Sequence, residues 1–227
     1  MPDTPPAPAR PSATVILIRD TNDGIETLLL RRNSKLAFHG GAWVFPGGRI
    51  DPEDYPASDP SDDYAAACRA AVRESYEEAG LTVQTDELVY LSHWTTPIVL
   101  PKRFATWFFI AAAGRGAVRV DGGEIHAHRW MRPHDALDAQ RAGEIELPPP
   151  TFVTLLKLQD YSTADAALAA IAAQEPEVFL PQHFKIPGGA CTVYRGDASF
   201  DHDEIDRPGP RHRLYMIKSG WRYEHTF

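Results

Sequence analysis

Cysteine is scarce in this chain, which carries only Cys68 and Cys191 among 227 residues. The two lie far apart and offer neither a disulfide framework nor the paired spacing of a zinc site. That suits a reducing compartment. Cys68 sits in a helical run beside alanines and reads as a small buried apolar residue. A long apolar run is also lacking at the start. Residues 1–12 hold five prolines and no leader-like hydrophobic stretch, so a flexible arm is expected there, neither signal peptide nor membrane span. Positive charge is short as well, with a net charge of −8. A nucleic-acid binder needs a basic stripe to neutralise phosphates, so that class is set aside. A small polyanion remains open as a substrate, because bound divalent metals can reverse the field of an acidic cleft.

What is present suits a globular protein: 43% hydrophobic and 24% charged residues can form a sizeable core. The length fits one catalytic domain, expected over 13–174, with a C-terminal extension over 175–227. Apolar runs at 13–18 and 26–30, separated by the turn residues of 20–24, predict a hairpin. A glycine-studded stretch with Trp43 and Phe45 follows at 39–48, then a loop at 51–63 rich in proline and aspartate and expected to be exposed. Ser61 or Asp62 can cap a helix predicted over 63–79, which Gly80 ends. Tyr64, Cys68, Ala71 and Ser75 recur at helical spacing and predict its buried face. Strands are expected at 83–94, 103–112 and 125–131, and helices at 133–142 and 151–173 with a break near Asp160. Segments 190–194 and 213–217 could pair late in the chain.

The chemistry concentrates in Arg73-Glu74-Ser75-Tyr76-Glu77-Glu78-Ala79-Gly80-Leu81. At about 100° per residue, Glu74, Glu77 and Glu78 share roughly one quadrant of the helix. Three carboxylates crowded there repel one another unless cations lie between them, and hard divalent ions favour such all-oxygen surroundings. A solvated acidic face is the bland alternative. A glycine-rich turn before the helix, a glycine stop after it, and Arg73 at i,i+4 from Glu77 weigh against that reading.

Arg73 to Leu81 resembles the second half of the nudix box, with Gly47 and Gly48 behind Phe45-Pro46 resembling its opening. Ser75 occupies a position that is apolar in the family. Gly48 and Arg73 stand further apart than in the family by about eleven residues, which implies an insertion at about 51–63 inside a box spanning 48–81. In literal register the box's first glutamate falls on Asp54, while after the insertion Asp62 or Asp63 could serve. The resemblance implies a nudix-type α/β/α sandwich around a mixed sheet. It also implies Mg²⁺, with Mn²⁺ as the alternative, on Glu74, Glu77 and Glu78, and Arg73 orienting the helix carboxylates. Glu124, six residues before Trp130, stands where such proteins place a further metal-binding or catalytic glutamate. Either Glu74 or Glu124 is then the general base of water attack on a P–O–P linkage.

The interrupted box, Leu29-Leu30-Arg31-Arg32, and Trp94-Thr95-Thr96-Pro97 with the aromatic run after it resemble the coenzyme A diphosphatase-like branch. A separate coenzyme A signature expects an arginine near Ala37, which this chain lacks. The implied reaction splits coenzyme A or acyl-coenzyme A into 3′,5′-ADP and a phosphopantetheine. The alternatives are another nucleoside diphosphate derivative such as ADP-ribose, or a ligand-sensing domain without turnover, and the retained glutamates speak against the last. Arg31, Arg32, Lys102 and Arg103 could clamp phosphates. Trp43 could stack on a base, and Gly47 and Gly48 would let the backbone approach substrate. The expected setting is cytoplasmic, with a small phosphorylated substrate, no nucleic acid and no membrane partner. A homodimer stays open.

Overall fold

The computed structural model describes residues 7–35, 39–114, 116–120 and 122–227. Ala37 and the first half of the expected arm lie outside these residues. The chain forms two compact units, the larger comprising Arg10–His93 with Thr106–Glu177. The smaller joins Trp94–Ala105 to Val178–Phe227, along with residues 7–9.

In the larger unit β1 (Ala9–Thr21) and β2 (Gly24–Arg32) form the expected hairpin, with Ile18 opposite Thr27 and Thr21 opposite Gly24. β1 starts at Ala9, so residues 9–12 are strand rather than flexible arm, because Ser12 pairs with Arg49 and Ala13 with Gly48. The glycine-studded stretch supplies two short strands, β3 (Trp43–Val44) against β2 and β4 (Gly47–Arg49) against β1. Further on come β5 (Val89–Thr95), β6 (Arg103–Ala112), β7 (Ile125–Met131) and β8 (Glu177–Phe179), of which the last two residues of β5, the first three of β6 and all but Glu177 of β8 are counted to the smaller unit. The mixed sheet runs β3-β2-β1-β6-β5-β8, with β7 on β2 and β4 on β1. Residues 83–88 are not strand as expected. Gln84 and Glu87 cap a single 3₁₀ turn at Thr85–Glu87 by reciprocal hydrogen bonds, which takes those backbone groups out of a ladder.

Helix α1 runs Asp63–Ala79, capped by Asp62, whose side chain accepts from the Ala65 N–H, and stopped by Gly80 in the left-handed conformation (φ 68°). Ala66, Ala67, Cys68, Ala70 and Ala71 are buried against Val15, Leu17, Leu28, Leu30 and Phe109. Such small side chains bring the helix backbone close to the sheet. Tyr64 departs from the expected buried face and is 45% exposed, its ring packing edge-on against Tyr90, Trp107 and Phe109. Ser75, polar where the family is apolar, is fully buried and donates to the Leu81 carbonyl (2.9 Å). Helices α2 (Pro133–Arg141), α3 (Pro149–Leu158) and α4 (Ala164–Ala172) complete this unit, the break falling near Asp160 as expected. None of the helices is long and apolar enough to cross a membrane, among the described residues.

In the smaller unit β9 (Gln182–Ile186), β10 (Gly189–Val193), β11 (His212–Ile217) and β12 (Gly220–His225) make a four-stranded antiparallel sheet. It contains the late pairing, Ala190 opposite Met216. Its interior holds Trp94 stacked on Phe179 (3.6 Å between centroids) and a buried ion pair, Arg213 with Asp197. Asp197 also accepts from the His212 and Ser199 N–H groups, so the buried charge is fully hydrogen-bonded. Most of the expected C-terminal extension thus groups with Trp94–Ala105, which ends β5 and begins β6.

The loop at 51–63 is only partly exposed. Asp51 opens a 3₁₀ turn at Pro52–Asp54, and Asp54 and Pro56 are buried, while 57–61 face solvent. Loop-closure entropy changes slowly with length. Replacing residues 57–61 by two glycines should therefore move the melting temperature by only about 2 °C, whereas Asp54→Ala should lower it several-fold more. Equal losses in a circular-dichroism melt would show the solvent-facing part to be structural.

Candidate active site

The end of α1 and the β3–β4 turn meet at Gly47 and Gly48. The Gly47 N–H donates to a Glu78 carboxylate oxygen (2.9 Å). A side chain on Gly47 would stand 2.5 Å from the Ala13 carbonyl, and one on Gly48 would stand 2.2 Å from a Glu74 oxygen. Real Cβ atoms do not approach so closely, so Gly47 faces fixed backbone and requires glycine, while a side chain at Gly48 would have to displace the Glu74 carboxylate. These glycines are therefore placed as the backing of the carboxylates.

Arg73 organises the helix side of the site. Its Nε and Nη2 grip both oxygens of Asp54 (3.2 and 2.9 Å), and Nη2 also donates to the Arg49 carbonyl (2.9 Å). Nη1 donates to Glu74 (2.9 Å) and to Glu77 (3.0 Å). Asp54 is thereby the residue of the box's literal register that fills the first acidic place, and it is 6% exposed. Asp62 caps the helix, and Asp63 accepts from the Tyr55 hydroxyl. The hydrogen bonds that Arg73 donates to Asp54 hold its guanidinium above its ordinary pKa, against the opposing effect of burial.

Glu78 is 6% exposed, and burial pushes its carboxyl up to about 8. The Gly47 N–H opposes that shift, the charges of Glu74 and Glu124 add to it, and Arg32 counters it. Burial likewise raises Glu74, with Arg73 opposing and Glu77 and Glu124 adding. Glu124, in the segment before β7, is half exposed and ion-paired with Arg32. Glu74, Glu77, Glu78 and Glu124 are therefore one electrostatic cluster, with Glu77 and Glu124 its exposed members.

The other expected contacts divide. Arg32 reaches the cluster, whereas Arg31, its neighbour on the strand, faces solvent, as alternation of strand side chains requires. Trp43 is 5% exposed, with the Arg129 guanidinium 5.0 Å above its ring, so it is packed core rather than an open stacking platform. Arg103 belongs to the smaller unit, where it donates to the carbonyls of Thr96 (3.1 Å) and Ala7 (2.8 Å). Those bonds tie two of its nitrogens to backbone there. Lys102, also in that unit, lies 5.5 Å from the Phe104 ring. Sequence reasoning did not single out Asp54 as the anchor of Arg73. The signal was its box register, which the inserted residues seemed to compromise.

A family profile described as NUDIX domain matches residues 8–150. An acyl-coenzyme A diphosphatase of Xenopus laevis is 23% identical over 228 residues, covering 59% of this chain and 59% of its own length. A Mycobacterium tuberculosis protein, provisionally named an 8-oxo-dGTP diphosphatase, is 28% identical over 201 residues, covering 82% of this chain and 78% of its own. Among solved structures, a nudix hydrolase from Alicyclobacillus acidocaldarius superposes with a TM-score of 0.66 at 25% identity, covering 74% of this chain and 99% of its own.

The raised carboxyls make stability depend on pH. Between the ordinary 4.5 and about 8, folded Glu78 keeps a proton that an unfolded glutamate has lost. The native state then binds more protons, so stability falls as pH rises through that window, and Glu74 acts in the same direction. In chelator, the melting temperature should fall between about pH 5 and pH 8.5. Glu78→Gln should flatten the fall and raise the value at the alkaline end. A variant that keeps the full slope would remove Glu78 as its source.

Proposed function

This chain belongs to the NUDIX domain family and is a nudix hydrolase, and we propose that it is a Mg²⁺-dependent diphosphatase of coenzyme A or acyl-coenzyme A. The observation that carries the metal assignment is the electrostatic coupling of Glu74, Glu78 and Glu124, with Glu78 buried and Glu74 half-buried. Oxygen donors held against mutual repulsion in that way fit a hard divalent ion. Glu74, Glu77, Glu78 and Glu124 would hold it, with Mn²⁺ the natural substitute. When bound it neutralises the bridging diphosphate and lowers the pKa of the attacking water.

The chain's own groups do the rest. Arg73 fixes the oxygens of Glu74 and Glu77, so that these carboxylates need not reorganise as charge develops. Gly47 and Gly48 keep the approach to the carboxylates free of side chains. Either Glu74, largely shielded from water, or the more exposed Glu124 accepts the proton of the attacking water. The products would be 3′,5′-ADP and a phosphopantetheine. The interrupted box and the Xenopus relative support coenzyme A as the substrate. The Mycobacterium relative, which aligns over more of both chains, supports the second reading, a nucleotide or another nucleoside diphosphate derivative such as ADP-ribose.

Glu78→Gln should lower kcat by about a hundredfold or more while the fold persists. Near-normal kcat at saturating Mg²⁺ would sink the metal assignment. On the coenzyme A reading the 3′-phosphate needs a cation, and Arg31, exposed on β2 beside Arg32, is our candidate. A charge-assisted contact contributes about 1.5–3 kcal/mol, so coenzyme A should exceed dephospho-coenzyme A in kcat/KM by about ten- to a hundredfold. Arg31→Ala should erase that difference. Equal rates on the two compounds, or faster cleavage of ADP-ribose in the same product-resolved assay, would transfer the assignment to the second reading.

A further inference from the structure

Arg32 ends β2, and its backbone is fixed on both sides. Its N–H donates to the Ala42 carbonyl (3.0 Å), and its own carbonyl accepts from the Gly41 N–H (3.1 Å). Across from it the Asn33 N–H donates to the Glu124 carbonyl (2.8 Å), and the Asn33 side-chain amide donates to the Gly123 carbonyl (3.0 Å). Two independent backbone anchors therefore present the Arg32 and Glu124 side chains to each other, and Nη2 of Arg32 donates to the Glu124 carboxylate. The guanidinium is 17% exposed, and its Nε is buried without a hydrogen-bond partner. Its charge also reaches Glu78. One cation with a donor to spare thus bears on two members of the cluster, Glu124 through an ion pair and Glu78 through its charge.

We propose that Arg32 is an exchangeable counter-ion, held by Glu124 in the metal-free enzyme and released to the diphosphate of the substrate when a divalent metal takes Glu124. The proposal rests on the assignment of Glu74, Glu78 and Glu124 to the metal. Its physical content is a competition. Arg32 and the metal neutralise the same carboxylates, so Arg32 opposes metal binding. Arg32 and the diphosphate carry opposite charge, so it favours substrate binding. Removing the cation must therefore move the two affinities in opposite directions, which a merely structural arginine would not do.

Mn²⁺ binding followed by electron paramagnetic resonance measures the first affinity. Calorimetry with methylenediphosphonate, whose bridge cannot be hydrolysed, measures the second. Arg32→Gln should bind Mn²⁺ several-fold more tightly and, at saturating Mn²⁺, bind methylenediphosphonate about tenfold more weakly. Glu124→Gln releases Arg32 from the other side, so without metal it should bind methylenediphosphonate about tenfold more tightly than the unaltered chain. That arm decides the matter if Arg32→Gln fails to fold. Mn²⁺ affinity that Arg32→Gln leaves unchanged or weakens, or anion affinity that Glu124→Gln leaves unchanged, overturns the exchange. Glu78→Gln separates the two readings, because retention of full Mn²⁺ affinity in that variant overturns the metal assignment itself.

Discussion

The guanidinium of Arg73 ties together parts of the chain that the sequence separates. On one side it grips Asp54 and the Arg49 carbonyl, which belong to the turn and loop before α1; on the other it holds Glu74 and Glu77 on the helix. Without that cation the last turns of α1 would carry Glu74, Glu77 and Glu78 near a helix C-terminus, where the macrodipole already disfavours negative charge. No basic residue stands in the final turn to compensate. The arrangement is locally unfavourable for stability, and it persists because Arg73 on the same helix, itself anchored by Asp54, and the Gly47 N–H from β4 supply partners. An isolated peptide of this sequence would have only the first of these.

Close approach is the second constraint. The alanines of α1 let the helix lie near β4, where Gly48 leaves room for the Glu74 carboxylate and Gly47 lets β4 pass close to the Ala13 carbonyl. The small-residue face and the glycine pair are parts of one packing solution. A bulky residue on either would separate the helix from the strand by more than the Gly47–Glu78 hydrogen bond can span.

These two constraints explain what could be read in the sequence. Local codes were legible: the span of α1, its Asp62 cap, its Gly80 stop and the opening hairpin each depend on residues near one another in the chain. Residues settled by long-range partners were not. Trp43 carries the same aromatic signal whether it stacks on a ligand or lies under Arg129, and only the fold chooses. Arg103 looks like any cleft arginine until Thr96 and Ala7 claim its donors. The turn at Thr85–Glu87 fell inside the strand expected over 83–94 because Gln84 and Glu87 are weak capping signals singly. Ser75 looked like a defect in the box, yet its hydroxyl has the Leu81 carbonyl six residues on.

The position of the insertion follows from the same reasoning. Asp54 keeps its literal spacing from Gly48, and Glu74, Glu77 and Glu78 keep theirs from Arg73, so both halves of the Arg73 network have unaltered local geometry. Extra residues could enter only between the two anchored halves. On one side Asp54 closes a turn on the Asp51 N–H (2.8 Å), and on the other Asp62 caps α1. Each anchor ends its own element, so residues 57–61 can face solvent without moving either. An insertion on the near side of Asp54 would instead have displaced the one buried carboxylate that Arg73 grips with two nitrogens, and Glu74 and Glu77 would have lost the cation that holds them. The interruption therefore sits where the box tolerates it, between two capped ends and outside the charge network.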